Sequence, residues 1–408
     1  MTYYYFKYLK ACIARAVFRI SYLFFPVKIN RIVFCSFAGM QYTCNPKYIF
    51  ESMFHRFGGK YDYIWILDEQ EKLPAEFRHS VKVAKPKSVK YIYYLITSGT
   101  IINNTGFNVV FPKRKKQLFI NTWHGGGAYK LISLDLKMYS ETYVRYIKRV
   151  RNLGKNTTDY FLSSSQTFTD NTSKDSDIDK KCFIPTGMPR NDRFFSEDTE
   201  KTRSLKKRIC DEYHIDPDTL WVLYAPTFRG HDKKIRNIAN HVCCSRVEDA
   251  LAKTFHKKVT FLYRRHISKY DKAVYSQNMD VNIVDLTHYP DMQDLLVLAD
   301  ILITDYSSSI WDFSFTGKPG FLYVPDLAEY LYERGFYLPF DKWPFPYAET
   351  IDGLCALFSP YSAEENSKRT SAHQKLLGSY ECGNATGQVI DIIVKHTSRQ
   401  LNPSPDCP

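Results

Sequence analysis

Five short stretches place residues that could move a proton or hold a phosphate directly after an apolar run. In NTWHGGGAYK (residues 121–130), His124 precedes Gly125, Gly126 and Gly127, and Lys130 follows. Imidazole titrates near neutrality, so a histidine at a strand end can serve as a general base. In ILITDYSSSIWDF (301–313) a Ser run opens a helix, where Ser307 and Ser308 offer hydroxyls and N–H groups suited to phosphate. Asp312, further along that helix, could accept a ligand hydroxyl or face solvent. LYRRHI (262–267) puts Arg264 and His266 on one side of a strand end, a guanidinium for a diphosphate and an imidazole for proton transfer. LYAPTFRG (223–230) carries Thr227 and Arg229, and PTGMPRND (185–192) is a turn with Gly187 and Arg190. Each also has a plain structural reading: a hydrogen-bonded loop histidine, a Ser N-cap, a surface basic cluster.

The HGGG run by itself matches the oxyanion loop of lipases, but that chemistry needs a G-x-S-x-G elbow, which the chain lacks. There is also no G-x-G-x-x-G, no Walker A motif and no Cys/His set at zinc spacing. Asp175, Asp177 and Asp179 in KDSDIDK lack the Gly and Glu of a calcium loop and read as a solvated loop. PKRKKQ (112–117) reads as a solvated turn, with anionic lipid as the alternative.

The elements that must position these residues alternate. RIVFCSF, YDYIWILD, VKVA, GTIINN and QLFINTW read as buried strands, with helices in NPKYIFESMFHRF and SVKYIYYLITS. A second series follows: LWVLYAPT, KVTFLYRRH, VNIVDLT, ADILITDYSS and PGFLYVP as strands, DMQDLLVLA and SIWDFSFTG as helices. Two such series predict α/β architecture with two Rossmann-like domains facing a cleft. The expected divisions are a segment at 1–30, domains at 31–190 and 191–395, and a disordered Pro-rich tail at 396–408.

The 408 residues carry a net charge of +13, which favours anionic partners. RNP and KH signatures are absent, which argues against nucleic acid. The ten cysteines are scattered and read as reduced thiols. No acidic residue precedes Glu51. On a helix, Tyr5, Phe6, Leu9, Ile13, Val17, Ile20 and Phe24 share one face, with Lys7, Lys10, Arg15 and Arg19 on the other half. That is the pattern of a helix lying in a membrane interface, or of one packed on its own domain.

In this order the motifs resemble the CDP-glycerol glycerophosphotransferase family, which makes teichoic acids and related capsules. NTWHGGGAYK is similar to its TWHG segment, TGMPRND to its G-x-PRND turn, LYAPTFRG and YRRH to its YAPT and R-x-H strand ends. DMQDLLVLADILITDYSSSIWDF, continuing into KPGFLYVPDLAEYLYERGFY, and FAGMQYTCNPKYIFE resemble further family stretches, so the likeness runs from about residue 31 to 390. It implies a GT-B fold and transfer of glycerol phosphate from CDP-glycerol to a hydroxyl of a lipid-linked or polymer acceptor, releasing CMP. CDP-ribitol and a nucleotide-sugar donor are the alternatives. It implies a peripheral protein on the cytoplasmic membrane face. Helix N-termini and Arg could stabilise the charge of phosphoryl transfer unaided, so no metal or cofactor is expected. His124 would be the base and His266 would assist at the diphosphate. Arg264, Thr227, Arg229, Ser307, Ser308 and Asp312 would hold the donor. Family members usually carry T-P-L-K after HG. Gly126 and Gly127 here are expected to open space beside His124 and, with Gly125 and Lys130, to form a permissive acceptor loop.

Overall fold

A computed structural model of the chain describes residues 2–106, 111–132, 139–155, 157–196, 198–227, 242–265 and 281–402. The chain divides into two compact units, one of Met1–Gly125, Ile132–Arg193 and Ser379–Pro408, the other of Gly126–Leu131 and Phe194–Gly378.

The first unit is built on seven strands: β1 (Lys28–Cys35), β2 (Asp62–Ile66), β3 (Lys82–Ala84), β4 (Ser98–Asn103), β5 (Leu118–Asn121), β6 (Tyr160–Leu162) and β7 (Phe183–Ile184). They pair in parallel in the order β3-β2-β1-β4-β5-β6-β7. Its helices include α1 (Thr2–Ser21), α2 (Cys44–Phe57), α3 (Val89–Thr97), α4 (Glu141–Leu153) and α5 (Gln166–Ser176). Strands covered on both faces must be apolar throughout, and Ile32, Val33 and Phe34 are wholly buried. Phe50 of α2 meets the rings of Phe34 and Trp65 at 5.4 and 5.8 Å, which seats that helix on the sheet.

The second unit repeats the plan with β8 (Leu220–Tyr224), β9 (Val259–Tyr263), β10 (Ile283–Asp285), β11 (Ile301–Thr304), β12 (Gly320–Tyr323) and β13 (Tyr347–Ala348). The order is β10-β9-β8-β11-β12-β13, again all parallel. Helices α6 (Thr199–Tyr213), α7 (Ser245–Phe255), α8 (Met292–Leu298), α9 (Ser309–Ser314), α10 (Leu327–Glu333), α11 (Ile351–Phe358) and α12 (Ala363–Leu377) accompany it. In each unit the strand order reverses at one point, between β1 and β4 and between β8 and β11. Ligands of doubly wound sheets bind beyond the carboxyl ends of the strands there.

Four expectations need correction. The last helix, α13 (Ala385–Leu401), belongs to the first unit, not to the second domain. It packs on α2 and β1 through a face that includes Val389, Ile390 and Ile393. Residues 396–401, assigned to a disordered tail, are its last turns, while 403–408 lie outside the described residues. The helix in SIWDFSFTG stops at Ser314, where the Ser314 and Thr316 hydroxyls bond the carbonyls of Trp311 and Phe313 in competition with the helical ladder. Nor is KDSDIDK a loop throughout: Asp175 lies in α5, Asp177 ends it at φ 56°, and Asp179 caps Lys181 N.

The N-terminal segment forms α1. Tyr4 packs on Tyr143 and Tyr146 of α4, Phe18 lies 4.4 Å from the Phe111 ring, and the Tyr22 hydroxyl donates to Pro112 O at 2.6 Å. Its apolar stripe faces solvent, with Ile13, Val17 and Ile20 exposed at 56%, 57% and 61%. Among the described residues no helix is long and apolar enough to cross a membrane. Nine cysteines there are unpaired, and Cys407 lies outside.

Candidate active site

His124 stands three residues past β5, beside the switch point of the first sheet. Its Nδ1 lies 2.7 Å from the carbonyl oxygen of Asn104, the residue that follows β4. A carbonyl only accepts, so Nδ1 carries a proton, which selects the tautomer whose lone pair lies on Nε2. The Phe37 ring meets the imidazole edge-on at 5.5 Å and Trp123 tilts over it at 4.6 Å. Trp123 has φ 50°, a left-handed conformation that costs a bulky residue about 1–3 kcal/mol. Asn45 offsets that cost: its amide nitrogen donates to Thr122 O at 2.9 Å and Trp123 O at 3.1 Å. The Asn45 carbonyl also accepts from Arg190 N at 3.1 Å. One buried amide thus joins the NPK, TWHG and PRND stretches. Asn104 accepts from Phe37 N through Oδ1, while its buried Nδ2 has no partner among the described residues.

The PRND turn is an internal brace. Arg190 is buried, with Nη1 3.2 Å from Cys44 Sγ. Asn191 Nδ2 donates to Glu381 at 3.0 Å, and Asp192 accepts from Ala385 N and Thr386 N at the start of α13. Burial raises the Asp192 carboxyl above its ordinary pKa, against the pull of those hydrogen bonds.

In the second unit, Thr227 follows β8, Arg264 follows β9 and the Asp305–Ser run follows β11. Asp305, buried, accepts from Thr227 N at 2.9 and 3.0 Å and from the Thr227 hydroxyl at 2.6 Å, tying two strand ends across the switch point. Arg264 directs Nη2 to Tyr289 O at 3.2 Å and Nη1 to Met292 Sδ at 3.3 Å, and its buried Nε has no partner among the described residues. Burial pulls this guanidinium below its ordinary pKa, with Asp291 opposing. Ser307 Oγ accepts from Ser309 N at 3.3 Å, so it caps α9, while the Ser308 hydroxyl makes no capping bond. Asp312 does not face solvent. It is buried and accepts from Gln293 Nε2 at 2.8 Å, which locks α8 to α9. Arg229 and His266 lie outside the described residues.

The expected open space at the glycines is filled. A Cβ at Gly126 would lie 2.0 Å from Trp311 Cδ1, and one at Gly127, where φ is 73°, 2.3 Å from the Tyr129 ring. These glycines let the backbone lie against aromatic rings instead of making room beside His124. The next residues are anchored too. Tyr129 is buried, its hydroxyl 2.7 Å from His373 Nε2, while His373 Nδ1 donates to Lys342 O at 2.9 Å. Burial lowers His373 to a pKa of about 4, so it is neutral and accepts the Tyr129 proton. Lys130 forms an antiparallel bridge with Phe336. Asn45, Asn104 and Glu381 brace the strand ends and turn of the first unit, and Gln293, Asp305 and His373 those of the second, and sequence reasoning assigned none of the six such a role. Asp305 carried a signal as the polar residue directly after its apolar strand, and Asn45 only as a helix opener. Among the described residues no group of three or more His, Cys, Asp or Glu is placed to hold a metal ion.

Comparison with known proteins bears on this arrangement. The family model described as CDP-Glycerol:Poly(glycerophosphate) glycerophosphotransferase matches residues 16–395. A teichoic acid poly(glycerol phosphate) polymerase of Bacillus spizizenii is 30% identical over 355 residues, 82% of this chain and 84% of the relative. A teichoic acid glycerol-phosphate transferase of Staphylococcus aureus is 28% identical over 90% of this chain and 93% of its own. A teichoic acid ribitol-phosphate primase of B. spizizenii is 28% identical over 74% and 76%. The structure of the wall teichoic acid polymerase TagF superposes with a TM-score of 0.81 at 24% identity over 98% of each chain, so the two share the α/β GT-B fold. With its strand-end histidine, its braced PRND turn and a family match across nearly the whole length, the chain belongs to the CDP-glycerol:poly(glycerophosphate) glycerophosphotransferases and is an enzyme of that family.

Proposed function

We propose that the protein transfers glycerol phosphate from CDP-glycerol to a hydroxyl of a membrane-linked or polymeric acceptor in the synthesis of a cell-surface polymer. The observation that carries this reading is a pair of buried donors at strand ends that have no partner among the described residues, Asn104 Nδ2 beside His124 and Arg264 Nε in the second unit. A buried donor left unmade costs about 1–3 kcal/mol, and a ligand oxygen at each would recover it.

In this reading the acceptor oxygen attacks the β-phosphorus of CDP-glycerol as its proton passes to His124 Nε2. The bridging P–O bond breaks and CMP leaves with that electron pair. Asn104 keeps the imidazole in the tautomer the step needs. Arg264 and the Ser308 hydroxyl neutralise and orient the diphosphate, and Arg229, outside the described residues, is assigned to the donor phosphates by its family motif. Ser307 and Thr227 shape the same strand ends through their bonds to Ser309 and Asp305. Asp312 acts as a positioning residue through Gln293. His266, two residues beyond Arg264, protonates the departing CMP. Phosphoryl transfer rests on such positioning and charge stabilisation.

The acceptor loop is a rigid one, shaped by Trp311 and Tyr129. The solvent-facing apolar stripe of α1, flanked by basic residues, supports peripheral attachment to an anionic membrane surface, the cytoplasmic face of the cell membrane. The test is to offer purified protein CDP-glycerol, CDP-ribitol and nucleotide sugars with a teichoic acid-type acceptor. CMP release with CDP-glycerol supports the reading. Turnover of CDP-ribitol alone, or release of a nucleoside diphosphate from a sugar donor, overturns it.

A further inference from the structure

A cavity of about 360 Å³ lies beneath α1, lined in part by Arg15, Arg19, Tyr22, Lys113, Arg114 and Lys155. We propose that it is a phosphate-ester pocket that takes the headgroup of an anionic membrane lipid. The choice of a lipid as the source rests on the membrane-surface reading above.

Among the described residues five cations line the cavity and no carboxylate does. Lys113 and Arg114 build the wall. Lys113 pairs with Asp159 at 2.7 Å. Arg114 lies over the Tyr22 ring at 4.7 Å and donates to the carbonyls of Phe25, Ile96 and Tyr22, so it forms the wall. It is therefore no part of a solvated turn. Arg15 and Arg19 stand one turn apart on α1, and like charges at that spacing repel. Burial, and then the neighbouring Arg19, push Arg15 below its ordinary pKa. Lys155, just past the end of α4, adds a further charge. A phosphate would relieve the repulsion, and guanidinium groups bind its oxygens in a forked geometry.

The source follows from the helix. The stripe of Leu9, Ile13, Val17 and Ile20 is exposed, and Arg15, Arg19 and Tyr22 lie on the opposite flank by 3.6-residue periodicity. An interfacial helix sinks its apolar face roughly 5–10 Å into the acyl boundary. A helix is about 10–12 Å across with its side chains. Its far flank then sits at the level of lipid phosphates, where this cavity is.

The test titrates full-length protein calorimetrically with dihexanoyl phosphatidylglycerol below its micelle concentration, and separately with inorganic phosphate. We expect saturable binding of one lipid per chain, with inorganic phosphate at least about tenfold weaker. Arg15→Gln/Arg19→Gln/Lys155→Gln should weaken lipid binding about tenfold or more. Lys7→Gln/Lys10→Gln/Lys90→Gln, which removes equal charge from exposed positions, should change it less than about twofold. Should the triple variant unfold, Lys155→Gln alone, a loop change, should still weaken binding about threefold. An equal loss in pocket and control variants, or no saturable binding, overturns the pocket. Equal affinity for inorganic phosphate overturns the lipid as its source. CMP release with a soluble acceptor should stay at the parent level in the pocket variant. Protein that ignores anionic vesicles yet takes the short-chain lipid sinks the membrane reading and keeps the pocket. Protein that pellets with vesicles but takes no short-chain lipid does the reverse.

Discussion

Gly126→Ala separates a glycine that makes room for an acceptor from one that makes room for a tryptophan. The added methyl would lie 2.0 Å from Trp311 Cδ1 and 2.6 Å from its Nε1. Carbon contacts settle near 3.5–4.0 Å, so one side must move by more than an ångström. Trp311 is wholly buried, with Phe315 at 5.1 Å and His373 at 6.2 Å. Overpacking of this kind costs about 1–3 kcal/mol, and the size of the overlap places Gly126→Ala at the upper end. Urea unfolding should show a lower midpoint with an unchanged slope, since the surface exposed on unfolding is the same. On a Trp311→Leu background the penalty of Gly126→Ala should shrink by about 1 kcal/mol or more, because contacting residues couple. Parent-level stability of Gly126→Ala, with an altered range of acceptors, would refute the packing argument and restore the glycine as an acceptor-space device.

His124→Ala should lower turnover roughly 10²–10⁴-fold, as loss of a general base does, with an unchanged unfolding midpoint; near-parent turnover removes the base assignment. His373 is held neutral with its pKa lowered to about 4, whereas the unfolded chain titrates near 6.5. Its contribution to stability is therefore complete above about pH 6.5 and lost as pH falls towards 4, by at most about 3 kcal/mol; His373→Gln should flatten the pH–stability curve in that window, and an unchanged slope contradicts the assignment. Replacing Leu9, Ile13, Val17 and Ile20 together by Ser or Gln should abolish co-sedimentation with anionic vesicles and leave the melting temperature within a few degrees, because these side chains already face water; a large loss of stability would mean that the stripe packs against protein.

The strand-and-helix alternation was legible because buried parallel strands are near-continuous apolar runs, as in residues 301–303 and Leu220–Tyr224. The carboxyl ends of those strands were legible for the same reason, so His124, Arg264 and the Ser run stood out before any coordinates. What stayed hidden was set by partners distant in sequence. Nothing near Gly126 announces Trp311, 185 residues away by number, and nothing near Asp192 announces that it caps a helix at Ala385. The fate of α13 depends on that same contact. Asn45 reads locally as a helix opener, yet its amide holds Thr122, Trp123 and Arg190. The stripe on α1 has the same 3.6-residue period whether it faces a core or water, so only the structure decides between them.

The central claim is attack on the β-phosphorus of CDP-glycerol, and isotopic labelling tests it most directly. With ³²P in the β-phosphate, the label should move to the acceptor and the released CMP should be unlabelled. With ³²P in the α-phosphate, all label should stay in CMP. Both labels leaving together as CDP would mean attack at carbon, as in sugar transfer, and would contradict the account.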